Sequence, residues 1–172
     1  KEDVGGSALS RLDAALIFEE LAQGCTSTAA YISIHNMAAW MIDAFGSTAA
    51  RKKFLPKLCT MDHFASYCLT EPGAGSDAAN LSTRARRDGE EWVLNGTKMF
   101  ITNGVHGDLY FVAARTDAEN KGSRGISMFI VENGAPGFRV GRALKKQGWL
   151  SSDTAELVFE DCRIPAANLL GE

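Results

Sequence analysis

His63-Phe-Ala-Ser-Tyr-Cys-Leu-Thr-Glu-Pro72 marks the point where the hydrophobic residues of the chain change from a spacing of three to four to a spacing of two. The first spacing is typical of amphipathic helices, and the second is typical of strands with one buried face. We therefore predict an α+β chain, with part of an N-terminal all-α domain over residues 1–62. Residues 63–172 should form a middle β-domain built as an antiparallel barrel or sandwich.

Eight short strands are predicted in the second half of the chain, with turn signals between them. They cover Phe64–Leu69, Leu81–Arg86, Glu91–Asn95, Lys98–Thr102, Leu109–Arg115, Gly125–Val131, Phe138–Leu144 and Ala155–Cys162. Asp88-Gly89 and Asn95-Gly96 are typical of two-residue hairpin turns, and Gly134-Ala-Pro-Gly137 marks another turn. Because no long helix separates the strands, antiparallel pairing is favoured over a parallel sheet with crossover helices.

Three helices are predicted in the first half from apolar spacing and capping residues. They run from Ser10 or Asp13 to Gly24, from Ser27 or Thr28 to Phe45, and from Ser47 or Thr48 to Pro56. The second is apolar on nearly all sides, and a helix of that kind is normally surrounded by other helices. Since the sequence supplies too few helices for this, we expect the helical domain to continue outside it. His35, inside the second helix, is interpreted as a hydrogen-bonded core residue.

Composition and charge exclude several classes of function. The formal net charge is −3 at pH 7, and the basic runs Arg84–Arg87 and Lys145–Lys146 are too short for nucleic-acid binding, which needs clustered cations. No apolar stretch is long enough to predict a membrane span, and Lys1–Gly6 lacks the apolar core of a signal peptide. The scattered cysteines form no metal-ligand spacing, so we predict no metal site and reduced, mostly buried thiols.

Tyr67-Cys-Leu-Thr-Glu-Pro-Gly-Ala-Gly-Ser-Asp77 is the segment whose composition points most directly to chemistry. Gly73 and Gly75 would let the backbone approach a ligand and turn its N–H groups outward, an arrangement that binds anions. Thr70 and Ser76 add hydroxyl donors beside them. A tight surface turn without any ligand is the alternative interpretation of the same composition.

Gly73-Ala-Gly-Ser-Asp-Ala78 also satisfies the GxGxxA pattern of dinucleotide-binding folds. That pattern needs a strand before it and an apolar-faced helix after it, within a parallel βαβ unit. The residues that follow Ala78 lead into a hairpin, so we reject this interpretation.

Lys98-Met-Phe-Ile-Thr-Asn-Gly104 forms a second candidate segment. Phe100 and Thr102 are two residues apart and therefore share one face of a strand. An aromatic ring and a hydroxyl on one face could stack on and hydrogen-bond to a planar heteroaromatic group. A core aromatic residue is the alternative for Phe100.

Three segments, taken in order, resemble the motifs of acyl-CoA dehydrogenases, and together they cover nearly the whole chain. Cys68–Asp77 resembles the family signature, and Asn95–Asn103 resembles its second flavin segment. The end of the family's β-domain is resembled by Asp153–Asp161 with Ile164-Pro165 and Asn168–Gly171. Two positions depart from the pattern. Asn80 replaces a residue that is usually small, and Phe100 stands where many members have Trp, although either aromatic ring can stack on a flavin.

The resemblance implies that FAD lies along two segments of this chain. The residues implied to contact it are Tyr67, Cys68, Leu69, Thr70, Gly75, Ser76, Phe100, Ile101 and Thr102. Thr70 would donate to the isoalloxazine edge, and Phe100 would pack on the ring. Thr102 would reach flavin N5, where a fixed donor stabilises the charge that develops on hydride transfer. Ser76 would also contact the CoA arm of the substrate.

No catalytic residue is predicted within this chain. The catalytic glutamates of the family lie in the helical domain that follows the β-domain, and that C-terminal helical domain is absent from this sequence. Glu71 lies inside the signature, but its position is structural in the family, so we do not nominate it as a general base. We therefore expect this chain alone to be inactive.

The implied reaction is the FAD-dependent α,β-dehydrogenation of an acyl-CoA thioester, with electrons passed to an electron-transfer flavoprotein. Four helical segments resemble members that act on short, branched isobutyryl-CoA in valine breakdown, namely Ile17–Ala22, Gly24–Thr28, Ala30–Met37 and Ala39–Asp43. Gly148–Leu157 is more similar to long-chain and general bacterial members. A homotetramer or homodimer in the bacterial cytoplasm or mitochondrial matrix is also implied. An acyl-CoA oxidase-like flavoenzyme and a non-catalytic β-domain module remain as alternatives.

Overall fold

The computed structural model describes residues 1–120 and 122–171 of the chain, and the predicted α+β class is confirmed. The helices are α1 (Arg11–Gly24), α2 (Thr26–Phe45) and α3 (Thr48–Cys59). The strands are β1 (Ala65–Cys68), β2 (Arg84–Asp88), β3 (Glu91–Thr102), β4 (Leu109–Arg115), β5 (Ile126–Glu132), β6 (Phe138–Ala143), β7 (Thr154–Pro165) and β8 (Leu169–Leu170). None of the helices within these ranges has the length and apolar character needed to cross a membrane.

Local capping chemistry sets the helix boundaries. Ser10 and Asp13 cap α1 together, because the Ser10 hydroxyl accepts the Asp13 N–H at 3.2 Å while the Asp13 carboxylate accepts the Ser10 N–H at 2.8 Å. The predicted end of the third helix at Pro56 is wrong, since α3 continues to Cys59. The last turn of α3 buries Leu55 and Leu58, and this burial outweighs the hydrogen bond that Pro56 cannot donate.

The strands belong to one sheet with the order β6-β7-β3-β2-β4-β5-β8, and β1 pairs with β4 outside that path. Antiparallel pairs dominate, as predicted, but β1 runs parallel to β4 and β2 meets β4 through a parallel bridge. The hairpin predicted at Asp88-Gly89 is confirmed: Asp88 of β2 pairs with Glu91 of β3, and Gly89 and Glu90 connect them. The hairpin predicted at Asn95-Gly96 is wrong, because β3 runs straight through it and the register against β7 shifts there by a bulge.

The helices cover one side of the sheet through a cluster of apolar side chains. Its buried members include Ala38 and Ile42 of α2, Phe54, Leu55 and Leu58 of α3, and Ala65, Leu109, Phe111 and Ile130 of the sheet. His35 is buried here and hydrogen-bonded, as predicted: its Nε2 lies 3.0 Å from the Leu58 carbonyl, and its Nδ1 accepts the Ala65 N–H at 3.1 Å. This bond ties α2 to the first residue of β1.

The opposite side of α2 has few partners within the described residues. Trp40 is 48% exposed, and Phe45 and Met37 are also exposed. The expectation that this helix is not surrounded by the helices of the chain is therefore confirmed. Among the free thiols, Cys68 and Cys162 are buried, but Cys25 and Cys59 are exposed, so the predicted burial holds for only half of them.

Candidate functional site

The two candidate segments of the sequence meet near the C-terminal end of β3. The chain leaves β1 at Cys68, and the Thr70 carbonyl then accepts the Met99 N–H at 2.8 Å. The Leu69 carbonyl accepts the Lys98 ammonium at 3.0 Å. Consecutive residues of one segment are therefore tied to consecutive residues of the other.

The glycine-rich part forms a small closed turn. Glu71 and Ala74 exchange backbone hydrogen bonds of 2.9 and 3.2 Å across Pro72-Gly73. Gly73 and Gly75 have φ angles that any residue can adopt, and a Cβ on either would meet no atom within 4 Å. The fold of the chain therefore does not require glycine at these positions, whereas close approach of a ligand would require it. Ser76 follows on the exposed surface.

Phe100 is held out of the sheet by a second bulge in β3. The register against β7 shifts between Lys98 and Ile101, and Phe100 has a φ of +61°. A positive φ is uncommon for a bulky side chain and typically marks a constraint of function or strain. The ring is 65% exposed, so it is not the core aromatic residue that the alternative interpretation required.

Burial decides which of the nine implied residues can offer a side chain to a cofactor. Cys68 and Ile101 are buried in the main apolar core, so only their main-chain atoms could face a ligand. Burial also raises the pKa of the Cys68 thiol, which keeps it neutral. Four of the other residues are half-buried, namely Tyr67, Leu69, Thr70 and Thr102. The remaining three are exposed, namely Gly75, Ser76 and Phe100.

A buried ion pair lies beneath these segments, and sequence reasoning missed it. The carboxylate of Glu71 accepts the Lys98 ammonium at 2.8 Å, and the two side chains are 3% and 0% exposed. Burial opposes the charge of Glu71, but hydrogen bonds from Lys98, Thr83 and Ser82 outweigh it and lower the pKa to about 2. Burial lowers the pKa of Lys98, although the Glu71 carboxylate opposes that shift.

Asn103 supports the end of β3, and sequence reasoning missed this residue too. It has a φ of +60° and is buried, and its side-chain amide donates to the Tyr31 carbonyl at 3.2 Å and the Ala65 carbonyl at 3.0 Å. The Ser66 hydroxyl donates to the Asn103 carbonyl at 2.8 Å. Asn is one of the few residues that tolerates this backbone conformation, which is the signal that could have identified it. These bonds join α2, β1 and β3 next to Thr102.

No cluster of three potential metal ligands occurs within residues 1–120 and 122–171. The GxGxxA pattern is not followed by an α-helix, because a short 3-10 turn at Ala78–Asn80 leads into β2. The rejection of a dinucleotide-binding βαβ unit is therefore confirmed.

Two family models match the chain. The acyl-CoA dehydrogenase N-terminal domain matches residues 1–62, and the acyl-CoA dehydrogenase middle domain matches residues 66–162. Among curated proteins, mitochondrial isobutyryl-CoA dehydrogenases are similar: that of Bos taurus is 55% identical over 99% of the chain, and that of Dictyostelium discoideum is 54% identical over 100%. The chain spans only 40% and 41% of the length of these relatives.

Solved structures share the fold over all or most of the chain. An acyl-CoA dehydrogenase from Geobacillus kaustophilus is 44% identical, with a TM-score of 0.94, and the match covers 100% of this chain and 46% of that one. A structure described as the electron transferring flavoprotein of Acidaminococcus fermentans is 42% identical, with the same TM-score, over 100% of this chain and 45% of its own. A glutaryl-CoA dehydrogenase from Mycobacterium smegmatis in complex with FADH2 is 37% identical, with a TM-score of 0.82, over 90% and 39%. The chain therefore belongs to the acyl-CoA dehydrogenase family, of which it contains the N-terminal and middle domain regions.

Proposed function

We propose that the protein containing this chain is an FAD-dependent acyl-CoA dehydrogenase, and that this chain supplies one wall of the flavin site. The observation that carries the proposal is Phe100, an exposed aromatic ring on a strained bulge next to the Thr70–Met99 hydrogen bond. Exposing an apolar ring and holding φ positive both cost free energy, which binding of a planar ring system would offset. FAD would supply the acceptor for the two electrons of the reaction.

The residues of the chain fit such a group by their chemistry. Thr70 and Thr102 are half-buried residues, and the hydroxyl of each can donate to the polar edge of a bound ring system. The open space at Gly73 and Gly75 leaves room for close approach to main-chain N–H groups. The exposed hydroxyl of Ser76 lies at the end of the same turn and is assigned to the flavin and to the CoA arm.

The catalytic base is assigned to a part of the protein outside this chain. Glu71, the carboxylate within the signature, is 4% exposed and accepts four hydrogen bonds from Lys98, Ser82 and Thr83. A base must reach the proton that it abstracts, and a carboxylate held below the surface by these donors has no path to a substrate. This chain alone is therefore proposed to be inactive.

The substrate is proposed to be a short, branched acyl-CoA such as isobutyryl-CoA, with an electron-transfer flavoprotein as the electron acceptor. The identities of 55% and 54% to two isobutyryl-CoA dehydrogenases support this choice. We also propose a domain boundary near residue 62, between the end of α3 at Cys59 and the start of β1 at Ala65. A homotetramer or homodimer in the bacterial cytoplasm or mitochondrial matrix completes the proposal.

The experiment is to purify the full-length protein, record its absorption spectrum, and follow flavin reduction by isobutyryl-CoA in stopped flow. Thr102→Val should retain bound flavin and slow its reduction at least tenfold, because the donor assigned to N5 is lost while the side-chain volume is kept. Thr102→Ser should restore most of the rate. Thr97→Val, the same change five residues earlier on β3, is the matched control. A colourless full-length protein would refute the flavin assignment, and turnover of long straight chains alone would refute the substrate.

A further inference from the structure

The buried pair of Glu71 and Lys98 lies between the two segments assigned to the flavin. We propose that this pair is a positioning element that sets the separation between Thr70 and the Phe100 bulge. The inference rests on the function proposed above, because it assigns a role toward the same cofactor. Neither side chain is proposed to touch the flavin, since both are buried.

The Lys98 side of the pair fixes one segment to the other. Its ammonium donates to the Glu71 carboxylate at 2.8 Å and to the Leu69 carbonyl at 3.0 Å. The next residue, Met99, donates its N–H to the Thr70 carbonyl at 2.8 Å. The chain then enters the bulge that turns Phe100 outward, so these contacts lie directly before the exposed ring.

The Glu71 side of the pair closes the loop that follows. One carboxylate oxygen accepts the Ser82 N–H at 2.6 Å and the Ser82 hydroxyl at 2.7 Å, and the other accepts the Thr83 N–H at 3.0 Å. Ser82 and Thr83 lead into β2, which pairs with β3. The pair therefore links the two ends of the loop between Glu71 and Ser82, which contains the glycine-rich turn, to the strand that carries Phe100.

A role in geometry explains the pair better than a role in stability. Two apolar side chains of similar volume often stabilise a core as well as a buried ion pair does, because the ions lose their hydration. Apolar side chains, however, could not hold the Leu69 carbonyl or the Ser82 and Thr83 N–H groups. What the charges add is direction, since Lys98 and Glu71 bind each other and together hold four further atoms of the protein's own loops and strands at hydrogen-bond distance.

The test is the double variant Glu71→Gln/Lys98→Met in the full-length protein. Changing both residues avoids leaving one charge buried alone, the single amide oxygen of Gln still accepts the N–H and hydroxyl of Ser82, and Met keeps the stem of Lys98. The acceptor of the Thr83 N–H is lost. The donor to the Leu69 carbonyl is lost. We expect FAD to bind at least tenfold more weakly, with a shifted flavin absorption band and visible circular dichroism, while the far-ultraviolet circular dichroism of the apoprotein shows that it still folds.

Two further variants make the result decisive. Lys53→Met/Glu132→Gln makes the same changes in an exposed ion pair of 2.6 Å and should leave the flavin spectrum unchanged. Ser82→Ala removes one donor to Glu71 from an exposed residue, and it should shift the band in the same direction by a smaller amount. If the double variant does not fold, the presence or absence of a band shift in Ser82→Ala alone decides whether the pair has the positioning role.

The outcomes separate the two proposals. A wild-type protein that binds FAD, together with folded variants of Glu71, Lys98 and Ser82 that match its spectrum and affinity, would overturn the positioning role and leave the proposed function standing. A wild-type protein that binds no FAD would overturn both. A shift confined to the Glu71, Lys98 and Ser82 variants supports the positioning role, because a general loss of stability would not move the band of the flavin that remains bound.

Discussion

Gly96 is the position where a single added methyl group should disturb the sheet most. It lies inside β3 with a φ of +153°, a conformation that side chains other than glycine rarely adopt. A Cβ placed there would lie 2.4 Å from the Thr83 Oγ and 2.7 Å from the Thr83 Cα. Because Cα belongs to the main chain, rotation of the Thr83 side chain cannot relieve the overlap, and the start of β2 must move away from β3.

The cost of Gly96→Ala has two parts. Holding a residue other than glycine in this backbone region costs about 1–3 kcal/mol, and forcing an extra carbon into a packed contact costs a further ~1–3 kcal/mol. We therefore expect a loss of roughly 2–6 kcal/mol in the free energy of unfolding, the sum of the two ranges. Thr83 also donates its N–H to Glu71 at 3.0 Å, so the displacement should reach the loop assigned to the flavin and lower flavin occupancy.

Alanine variants at two other glycines separate the conformational part of this cost from the steric part. Gly89 has a φ of +62°, and a methyl group there would meet no atom within 4 Å, so Gly89→Ala should show only a conformational cost of about 1 kcal/mol. Gly73 has an ordinary φ and equal space, so Gly73→Ala should leave the stability of the apoprotein unchanged. Unfolding of the full-length apoproteins by urea or heat would rank them. If Gly96→Ala unfolds no more easily than Gly89→Ala, the steric argument is wrong.

Two further predictions concern pH. The pKa of Glu71 is about 2, against an ordinary 4.5, so its contribution of about 3 kcal/mol to the free energy of unfolding is complete above pH 4.5 and is lost as the pH falls toward 2. Glu71→Gln should flatten the acid-unfolding curve over that window. A stability difference between wild type and variant that stays the same across the window would contradict this. Burial lowers the pKa of His35 below 6.5, so its contribution is complete above pH 6.5 and declines as the pH falls below it. His35→Leu should cost about 2–4 kcal/mol at pH 7, since Leu58 and Ala65 lose their partners, and its midpoint should vary less between pH 7 and 5 than that of wild type.

Helix boundaries set by local interactions could be predicted, whereas the end of α3 at Cys59, where tertiary burial carries the helix past Pro56, could not. Ser10 and Asp13 cap α1 through contacts three residues apart, and Gly46 follows α2 at the predicted position. Asn95-Gly96 shows where local composition fails. A hairpin and a bulge both favour glycine, and the close approach of Thr83, 13 residues away in sequence, requires glycine here within an uninterrupted strand.

The candidate site likewise has parts that the sequence could predict and parts that it could not. Sequence motifs identified both segments, and period-two alternation could also have indicated that Cys68 and Ile101 point into the core. The Glu71–Lys98 pair joins residues 27 apart in sequence, and the turn and strand patterns contain no signal for it. Lys98 would ordinarily be interpreted as a surface residue, because lysine is almost never fully buried unless it is paired. Its burial depends on a tertiary arrangement in which Leu69 and Glu71 reach it from another part of the chain.

The contrast between the buried support of the site and its exposed face indicates how the site would work. Below the surface, Glu71 and Lys98 are buried and hydrogen-bonded, and Asn103 fixes the end of β3. At the surface, Phe100 is exposed on a strained bulge, and the turn at Gly73 leaves open space. A site with fixed support and an accessible face needs little reorganisation when a rigid ring system binds, so less of the binding free energy is lost in ordering the protein. The strain at Phe100 can persist because the bonds at Lys98 and Met99 determine the path of the chain immediately before it.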